Sequence, residues 1–318
     1  MKKLRVVYFG TPDFSARFLE LILNDKELLV EVVGVVTQED KKVGRKQLLT
    51  KSPVKLVAEK YNIPVISHPE FISGSHKMLN QVQHDSAIDL GLLFAYGNIL
   101  PKEILDIPKF GFWNVHPSLL PKYRGPSPIA APLIEGKTET GVTIIKMDDQ
   151  MDHGPIIVQK QVYIFPVWRR DQLTDHLVEI GFTLFKECFM RYAEDLAKVP
   201  LQTQDHSKAT YSKKLTRQDG YVPLNVILAP ASPELQRGEN AGIGVRDDKG
   251  MKLFNLFRGL YPWPGIWTRV KINDKEQRLK ITKMHWENDQ LVIKKVQLEG
   301  KKEVDFEIFN KAYRMVKV

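Results

Sequence analysis

The chain has 318 residues, 43% of them hydrophobic and 27% charged, and it carries a formal net charge of +9. This length suits two domains, and this composition is typical of a globular protein in water. No stretch approaches the roughly 18 consecutive apolar residues of a membrane helix, so we expect no membrane partner. The lone cysteine, Cys188, excludes an internal disulfide. We therefore expect a cytoplasmic protein, since thiols stay reduced in that compartment.

Residues 1–200 alternate strand and helix patterns. Buried-strand patterns occupy residues 4–9, 28–37, 88–94, 110–115, 142–147 and 156–164. Helix patterns occupy residues 11–23, 53–61 and 171–196. The second of these helices opens with Ser52, which suits the N-cap, and Pro53, which suits the first helical position. Strands separated by helices predict an α/β domain with a largely parallel, Rossmann-like sheet over residues 1–200.

The pattern changes after residue 200. Residues 201–213 are polar and are predicted to link two domains, and residues 222–250 are rich in Pro, Gly, Asn and Asp and are predicted to be loop. Short alternating segments follow at residues 268–272, 279–281, 291–296 and 304–308. They predict a small β-barrel of the OB-like type, or a sandwich, within residues 214–318.

The positive charge is concentrated in the last third of the chain. Residues 1–205 hold 25 Lys+Arg and 25 Asp+Glu, whereas residues 206–318 hold 22 and 13. Such an excess suits a polyanionic partner, of which nucleic acid is the commonest kind. Lysines scattered over a solvated face would produce the same count, so charge alone does not decide between the two interpretations.

Asn114 and His116 stand two residues apart at the end of a predicted strand. Alternation along a strand puts both side chains on one side, and ligands of open α/β sheets bind at the carboxyl ends of strands. An isolated Asn-x-His is more often structural, with the amide satisfying a turn and the imidazole hydrogen-bonded. Here residues 117–121, Pro-Ser-Leu-Leu-Pro, continue as a stiff loop that presents backbone groups to the crevice, which favours a binding site.

A third candidate, Asp152, lies in a loop with Asp148 and Asp149. Loop aspartates are usually solvated turn-formers, and either neighbour could replace Asp152 in a site. The loop lacks calcium-loop spacing and no His/Cys cluster suits zinc, so we expect no metal. Asn114 can hydrogen-bond an oxyanion, His116 can move a proton and Asp152 can stabilise a charged imidazole. These roles suit acyl transfer between two amines.

Several motifs resemble those of the methionyl-tRNA formyltransferases. They are Phe-Gly-Thr-Pro-Asp-Phe at residues 9–14, Ser-Pro-Val-Lys at 52–55, Ala-Tyr-Gly-Asn-Ile-Leu-Pro at 95–101, Asn-Val-His-Pro-Ser-Leu-Leu-Pro-Lys-Tyr-Arg-Gly at 114–125, Glu-Thr-Gly-Val-Thr at 139–143 and Met-Asp-His-Gly at 151–154. The likeness covers residues 4–215 and resumes at 261–265. The Asn-x-His-x-Ser-Leu-Leu-Pro element with a later Asp is typical of the wider formyltransferase superfamily, and the first two motifs are typical of the tRNA enzymes.

The resemblance implies formyl transfer from 10-formyltetrahydrofolate to the amine of methionine esterified to initiator tRNA. We also expect the enzyme to be a monomer. The resemblance implies that the catalytic residues are Asn114, His116 and Asp152. It implies that the residues lining the folate site are Ser118, Leu119, Leu120 and Pro121. It also implies that Arg45 contacts the tRNA acceptor end and that Phe14 lies near the methionine side chain.

Other functions share parts of this pattern. A formyltransferase acting on a sugar-nucleotide or another small amine would use the same three residues without needing a basic C-terminal domain. A hydrolase that releases formate would need only water in place of the amine. An RNA-binding protein without catalytic activity would not need the intact set of three. A nicotinamide dehydrogenase would need Gly-x-Gly-x-x-Gly after the first strand, where this chain has only Gly10.

Overall fold

The computed structural model describes residues 3–43, 47–67, 88–228, 248–287 and 290–313. The chain divides into two compact units. The first unit contains residues 1–128, 140–163 and 174–212, and the second contains residues 129–139, 164–173 and 213–318. No helix within the described ranges combines the length and the apolar character that spanning a bilayer requires.

The described helices and strands are numbered in chain order. The helices are α1 (Asp13–Asn24), α2 (Pro53–Lys60), α3 (Lys102–Leu105), α4 (Ala130–Ile134), α5 (Arg170–Arg191), α6 (Leu224–Ile227), α7 (Asp248–Leu260) and α8 (Phe306–Tyr313). The strands are β1 (Leu4–Phe9), β2 (Val30–Thr37), β3 (Lys41–Val43), β4 (Leu48–Thr50), β5 (Val65–Ser67), β6 (Leu90–Leu93), β7 (Phe112–His116), β8 (Glu139–Lys146), β9 (Ile156–Tyr163), β10 (Ile266–Ile272), β11 (Lys275–Glu287), β12 (Gln290–Leu298) and β13 (Glu303–Asp305).

A seven-stranded sheet forms the centre of the first unit, in the order β5-β2-β1-β6-β7-β8-β9. Four of its pairings are parallel: β1 with β2, β1 with β6, β2 with β5, and β6 with β7. The pairing of β7 with β8 is antiparallel. The prediction of an α/β domain with a largely parallel sheet is therefore confirmed, and β7, which carries the candidate site, lies inside the sheet.

The start of α2 is set by its local sequence. The Ser52 hydroxyl accepts a hydrogen bond from the Lys55 N–H at 3.1 Å, and Pro53 occupies the first turn, as predicted. Ser52 is also 2.8 Å from the Thr37 hydroxyl, at the end of β2. The cap therefore satisfies an otherwise unpaired helix N–H and attaches α2 to the sheet.

Aromatic side chains fill the layer between the sheet and its helices in the first unit. Phe18 of α1 is fully buried, with ring centroids 4.9 Å from Phe94 and 6.2 Å from Phe185 of α5. On the other face of β1, Phe9 packs edge-on against Phe112, 5.0 Å away. Burying one such ring contributes about 1.5–3 kcal/mol, so both faces of the sheet support β1 and β7.

Cys188 is a buried free thiol on α5. Burial raises the pKa of this thiol to about 11, against a smaller lowering by Arg191. A raised pKa leaves little of the reactive thiolate at about pH 8. We therefore expect Ellman's reagent to leave the native protein unmodified at that pH and to react at once after unfolding in guanidinium. Rapid reaction of the native protein would contradict this assignment.

Residues 201–212, predicted to be part of a linker, are bonded into the first unit. Gln202 and Ile156 exchange backbone hydrogen bonds of 2.8 Å, and Tyr211 forms a backbone bridge with Arg124. The Gln204 side chain is buried. The polar composition of this segment reflects hydrogen bonds to the loops of the first unit as well as contact with water.

The second unit contains an antiparallel sheet in the order β10-β11-β12-β13. Its core joins side chains of this sheet to those of α7, such as Leu253 and Phe257. Helix α7 packs on α4 at Gly259, where a Cβ would lie 2.5 Å from the Ile134 side chain. A four-stranded antiparallel sheet with this core is consistent with the predicted small barrel.

Two local predictions for the second unit were wrong in detail. The segment 222–250 was predicted as loop, but it contains helix α6 and the start of helix α7 at Asp248, and its residues 229–247 lie outside the described residues. Residues 304–308 were predicted as strand, but β13 ends at Asp305 and α8 begins at Phe306. Phe306 and Phe309 pack on the core of the second unit at helical spacing, and this tertiary packing overrides the short alternating pattern.

Candidate active site

Strand β7 delivers two polar side chains to the interior of the first unit. Asn114 is 7% exposed and His116 is 4% exposed. Asn114 is paired with Leu93 of the parallel strand β6, and His116 is paired with Thr143 of the antiparallel strand β8. Because side chains two apart on a strand point to the same side, both reach the region where β6 and β7 end.

Asp152 approaches both of these side chains from the loop between β8 and β9. Its Oδ1 accepts a hydrogen bond from Asn114 Nδ2 at 3.2 Å and lies 3.4 Å from His116 Nδ1. Asp148 instead pairs with His153 Nδ1 at 2.6 Å, and Asp149 is exposed. The carboxylate that meets Asn114 and His116 is therefore that of Asp152, rather than that of Asp148 or Asp149.

The hydrogen bonds of His116 identify which ring nitrogen is available. Nε2 lies 3.1 Å from the Tyr123 carbonyl oxygen, which can only accept, so Nε2 carries a hydrogen. Nδ1 is the nitrogen that faces Asp152. A separation of 3.4 Å is long for an N–H···O hydrogen bond, so Nδ1 lies near the carboxylate without a close hydrogen bond to it.

The backbone holds Asp152 in an uncommon conformation. Its φ is +52°, in the left-handed region that costs a non-glycine residue about 1–3 kcal/mol. Its Oδ2 accepts a hydrogen bond from the Gly125 N–H at 2.7 Å. Gly125 itself has φ +98°, and a Cβ there would lie 2.9 Å from the Ser212 carbonyl oxygen. Glycine at position 125 thus permits both this positive φ and the close approach to Ser212, while its N–H binds the carboxylate.

The loop predicted to line the folate site is held by one hydroxyl. Thr143 Oγ1 donates to the Ser118 carbonyl at 2.6 Å and accepts from the Leu120 N–H at 3.1 Å and from Gln159 Nε2 at 2.7 Å. Gln159 Nε2 also donates to the Leu120 carbonyl at 3.0 Å. This hydroxyl uses its one donor and both acceptor sites, which makes the loop rigid.

The four side chains of the predicted folate site differ in accessibility. The Ser118 and Leu120 side chains are buried, and Ser118 Oγ donates to the Lys122 carbonyl at 2.7 Å. The Leu119 and Pro121 side chains are partly exposed. Leu119 and Pro121 are therefore the members of this set whose side chains reach solvent, while Ser118 and Leu120 determine the shape of the loop.

Of the two residues assigned to the aminoacyl-tRNA, Phe14 lies within the described residues and Arg45 does not. Phe14, half-buried at the start of α1, packs edge-on against Phe94 with ring centroids 5.4 Å apart. Phe94 follows Leu93, the strand partner of Asn114, so Phe14 lies at the end of the sheet that carries the site. Arg45 lies outside the described residues. Within the described residues no group of His, Cys, Asp and Glu side chains could hold a metal ion.

Several residues that shape the site were not predicted. Besides Thr143 and Gln159, they include Arg124 and His206, whose Nδ1 accepts a hydrogen bond from Arg124 Nη2 at 2.8 Å. The His206 ring stacks on His153 with centroids 3.9 Å apart. The pKa of His206 is lowered mainly by desolvation and, to a smaller extent, by the charges of His153 and Arg124. A lowered pKa favours the neutral ring. No local pattern connects residue 206 with residue 124, so the sequence offered no signal for this contact.

The chain is similar to known formyltransferases. Residues 2–187 match the family described as Formyl transferase. A methionyl-tRNA formyltransferase of Chloroflexus aurantiacus is 37% identical over 267 residues, which cover 83% of this chain and 76% of the relative. One from Staphylococcus aureus is 35% identical over 320 residues, covering 94% of this chain and 93% of the relative.

Solved structures support the same fold. A methionyl-tRNA formyltransferase from Clostridium thermocellum superimposes with a TM-score of 0.55 at 14% identity, covering 95% of this chain and 99% of the other. A 4-N formyltransferase from Francisella tularensis superimposes with a TM-score of 0.59 at 15% identity, covering 88% and 97%. At such identities the likeness concerns the fold alone.

Proposed function

Because this chain belongs to the methionyl-tRNA formyltransferase family, we propose that it transfers a formyl group from 10-formyltetrahydrofolate to the α-amine of methionyl initiator tRNA. The observation that carries the proposal is the meeting of Asn114, His116 and Asp152 at the carboxyl end of β7. An amide donor, a proton carrier and a carboxylate around one point are what acyl transfer between two amines requires.

Asn114 stabilises the oxyanion in this mechanism. The α-amine attacks the formyl carbon, a C–N bond forms, and the carbonyl oxygen becomes negatively charged. One N–H of Asn114 is held by Asp152, and in the described chain the second has no protein partner. A donor aimed at such an oxygen typically lowers the barrier by about 3 kcal/mol. The hydrogen bond that Asn114 donates to Asp152 thus orients the amide and leaves a second N–H for the substrate.

His116 and Asp152 move the proton. The attacking nitrogen must lose one proton, and the folate nitrogen must gain one as its bond to the formyl carbon breaks and the carbonyl re-forms. His116 Nδ1 is the ring nitrogen that can carry this proton, since Nε2 is committed to the Tyr123 carbonyl. The adjacent Asp152 carboxylate stabilises the imidazolium while the proton is on the ring.

Substrate binding is assigned to separate parts of the chain. The rigid loop of Ser118, Leu119, Leu120 and Pro121 is proposed to contact the folate, with Leu119 and Pro121 supplying accessible side chains. Phe14 is proposed to contact the methionine side chain, and Arg45 the acceptor end of the tRNA. The basic residues 206–318 suit the phosphate backbone, and ~6–10 phosphate contacts would make tRNA binding strongly salt-dependent.

We also propose a cytoplasmic, monomeric enzyme. The free, buried thiol of Cys188 is compatible with a reducing compartment. One chain supplies Asn114, His116 and Asp152, so the chemistry needs no second subunit. Sedimentation equilibrium should yield the 36.6 kDa mass of a single chain at catalytic concentrations, and a stable dimer would contradict the monomer.

The decisive experiment compares acceptors. The purified protein is incubated with radiolabelled 10-formyltetrahydrofolate and, in separate reactions, with methionyl initiator tRNA, with an amino-sugar nucleotide, and with no amine. We expect label in methionyl-tRNA alone. Label in the sugar would favour the small-amine formyltransferase, and release of formate without an amine would favour the hydrolase. If methionyl-tRNA remains unlabelled, either of these results would overturn the proposed function.

A further inference from the structure

Gln204 is a buried amide whose hydrogen bonds all lead to the candidate site. Its side chain is 4% exposed. Nε2 donates to the Asp152 carbonyl at 3.0 Å and to the Gly154 carbonyl at 2.7 Å, while Oε1 accepts from Arg124 Nη2 at 2.7 Å. These partners determine the amide orientation, since carbonyl oxygens can only accept and a guanidinium can only donate.

Arg124 is a buried cation that has no carboxylate partner among the described residues. It is 2% exposed, and Nη2 bonds Gln204 Oε1 and His206 Nδ1, both neutral acceptors. Its Nε is buried and has no partner among the described residues. Burying a positive charge without a carboxylate partner costs free energy of folding, so this residue points to a role other than stability. The charge also strengthens the bond to Gln204 Oε1 and so opposes rotation of that amide.

The neighbours of Arg124 contact the other two components of the proton path. The Tyr123 carbonyl accepts from His116 Nε2, and the Gly125 N–H donates to Asp152 Oδ2. The tripeptide Tyr123-Arg124-Gly125 therefore orients the imidazole, the carboxylate and, through Gln204, the backbone of Asp152. Tyr123 and Gly125 have φ of +60° and +98°, so the tripeptide adopts a specific conformation rather than an extended one.

We propose that Arg124 and Gln204 are positioning residues that hold the Asp152 loop so that its carboxylate faces His116 Nδ1. This inference rests on the proposed function and adds residues to it. Without Gln204, the carbonyls of Asp152 and Gly154 lose this donor, and Asp152 can leave its left-handed conformation. The carboxylate would then turn away from Asn114 and His116, although neither side chain has been altered.

Gln204→Met tests this inference, with Gln202→Met as the matched control. Methionine preserves the length of the side chain and removes its donor and acceptor. The Gln202 side chain is exposed. Its hydrogen bonds to Ile156 are made by the backbone, so they remain in the variant. For Gln204→Met we expect kcat to fall by about 10–100-fold, since a misplacement of about 1 Å can cost 10²-fold. We expect KM for folate and for methionyl-tRNA to stay within about twofold, because neither substrate is bound by Gln204.

A second readout separates positioning from mere support of the fold. The ¹⁵N shifts of His116 report the hydrogen on Nε2, and we expect them, together with the pH profile of kcat, to change in Gln204→Met and not in Gln202→Met. A lower Tm with unchanged kcat, pH profile and His116 shifts would overturn the inference. Failure of the unaltered protein to formylate methionyl-tRNA would instead count against the proposed function.

Gln204→Glu keeps the inference testable if the methionine variant does not fold. Its carboxylate can pair with Arg124 and so retains that part of the buried network. It loses the donor to the Asp152 and Gly154 carbonyls. We expect a folded protein with the same selective loss of kcat. A folded Gln204→Glu variant with the kcat of the unaltered protein would refute the positioning role.

Discussion

His116→Ala should lower the rate of formyl transfer to methionyl-tRNA by about 10²–10⁴-fold, the usual effect of losing a positioned proton carrier. The substitution removes Nδ1, the nitrogen that faces Asp152 and that is proposed to take the proton of the attacking amine. It also leaves the Tyr123 carbonyl without its donor, which costs about 1–3 kcal/mol of stability. We expect a folded protein with a lower Tm.

Single-turnover kinetics with saturating 10-formyltetrahydrofolate measure this loss directly, and circular dichroism verifies the fold. His176→Ala, which removes an imidazole from α5, is the matched control and should retain activity. Folate binding by His116→Ala should remain within about threefold of the unaltered protein, because the loss concerns the chemical step. Normal turnover by folded His116→Ala protein would exclude the proposed mechanism.

Asp152→Asn should reduce turnover by a comparable factor, about 10²–10⁴-fold. The carboxylate accepts from Asn114 Nδ2 with one oxygen and from the Gly125 N–H with the other. An amide offers only one oxygen, so one of these donors must face an NH₂ group. The substitution also removes the negative charge beside His116 Nδ1, and the imidazolium loses its stabilising neighbour.

Asp149→Asn is the control for this prediction, since it makes the same chemical change at an exposed position of the same loop. We expect it to match the unaltered protein in kcat and KM. An equal loss in both variants would mean that the charge of the loop, rather than the carboxylate at 152, supports the reaction. Full activity in Asp152→Asn would show that another group stabilises the imidazolium.

Local sequence rules account for most of the first unit. The strands were predicted because β-branched and aromatic runs that are buried on both faces stand out from the polar segments around them. The cap of α2 depends only on Ser52 and its neighbours. Asn114 and His116 could be paired because the period of a strand is two residues. In the second unit, the alternating pattern of residues 304–308 predicted a strand, but tertiary packing makes residues 306–313 the helix α8.

The sequence by itself determined the kinds of chemical groups at the site and the strand that carries two of them. Only the tertiary structure decided which of three loop aspartates meets them, since Asp152 is 38 residues from Asn114 along the chain. It also decided that Gln204 is buried, because its partners Arg124 and Asp152 are 80 and 52 residues away. Polar residues give no periodic signal for such distant partners. The polar composition of residues 201–213 therefore predicted a linker, although this segment includes a residue that is bonded to the site.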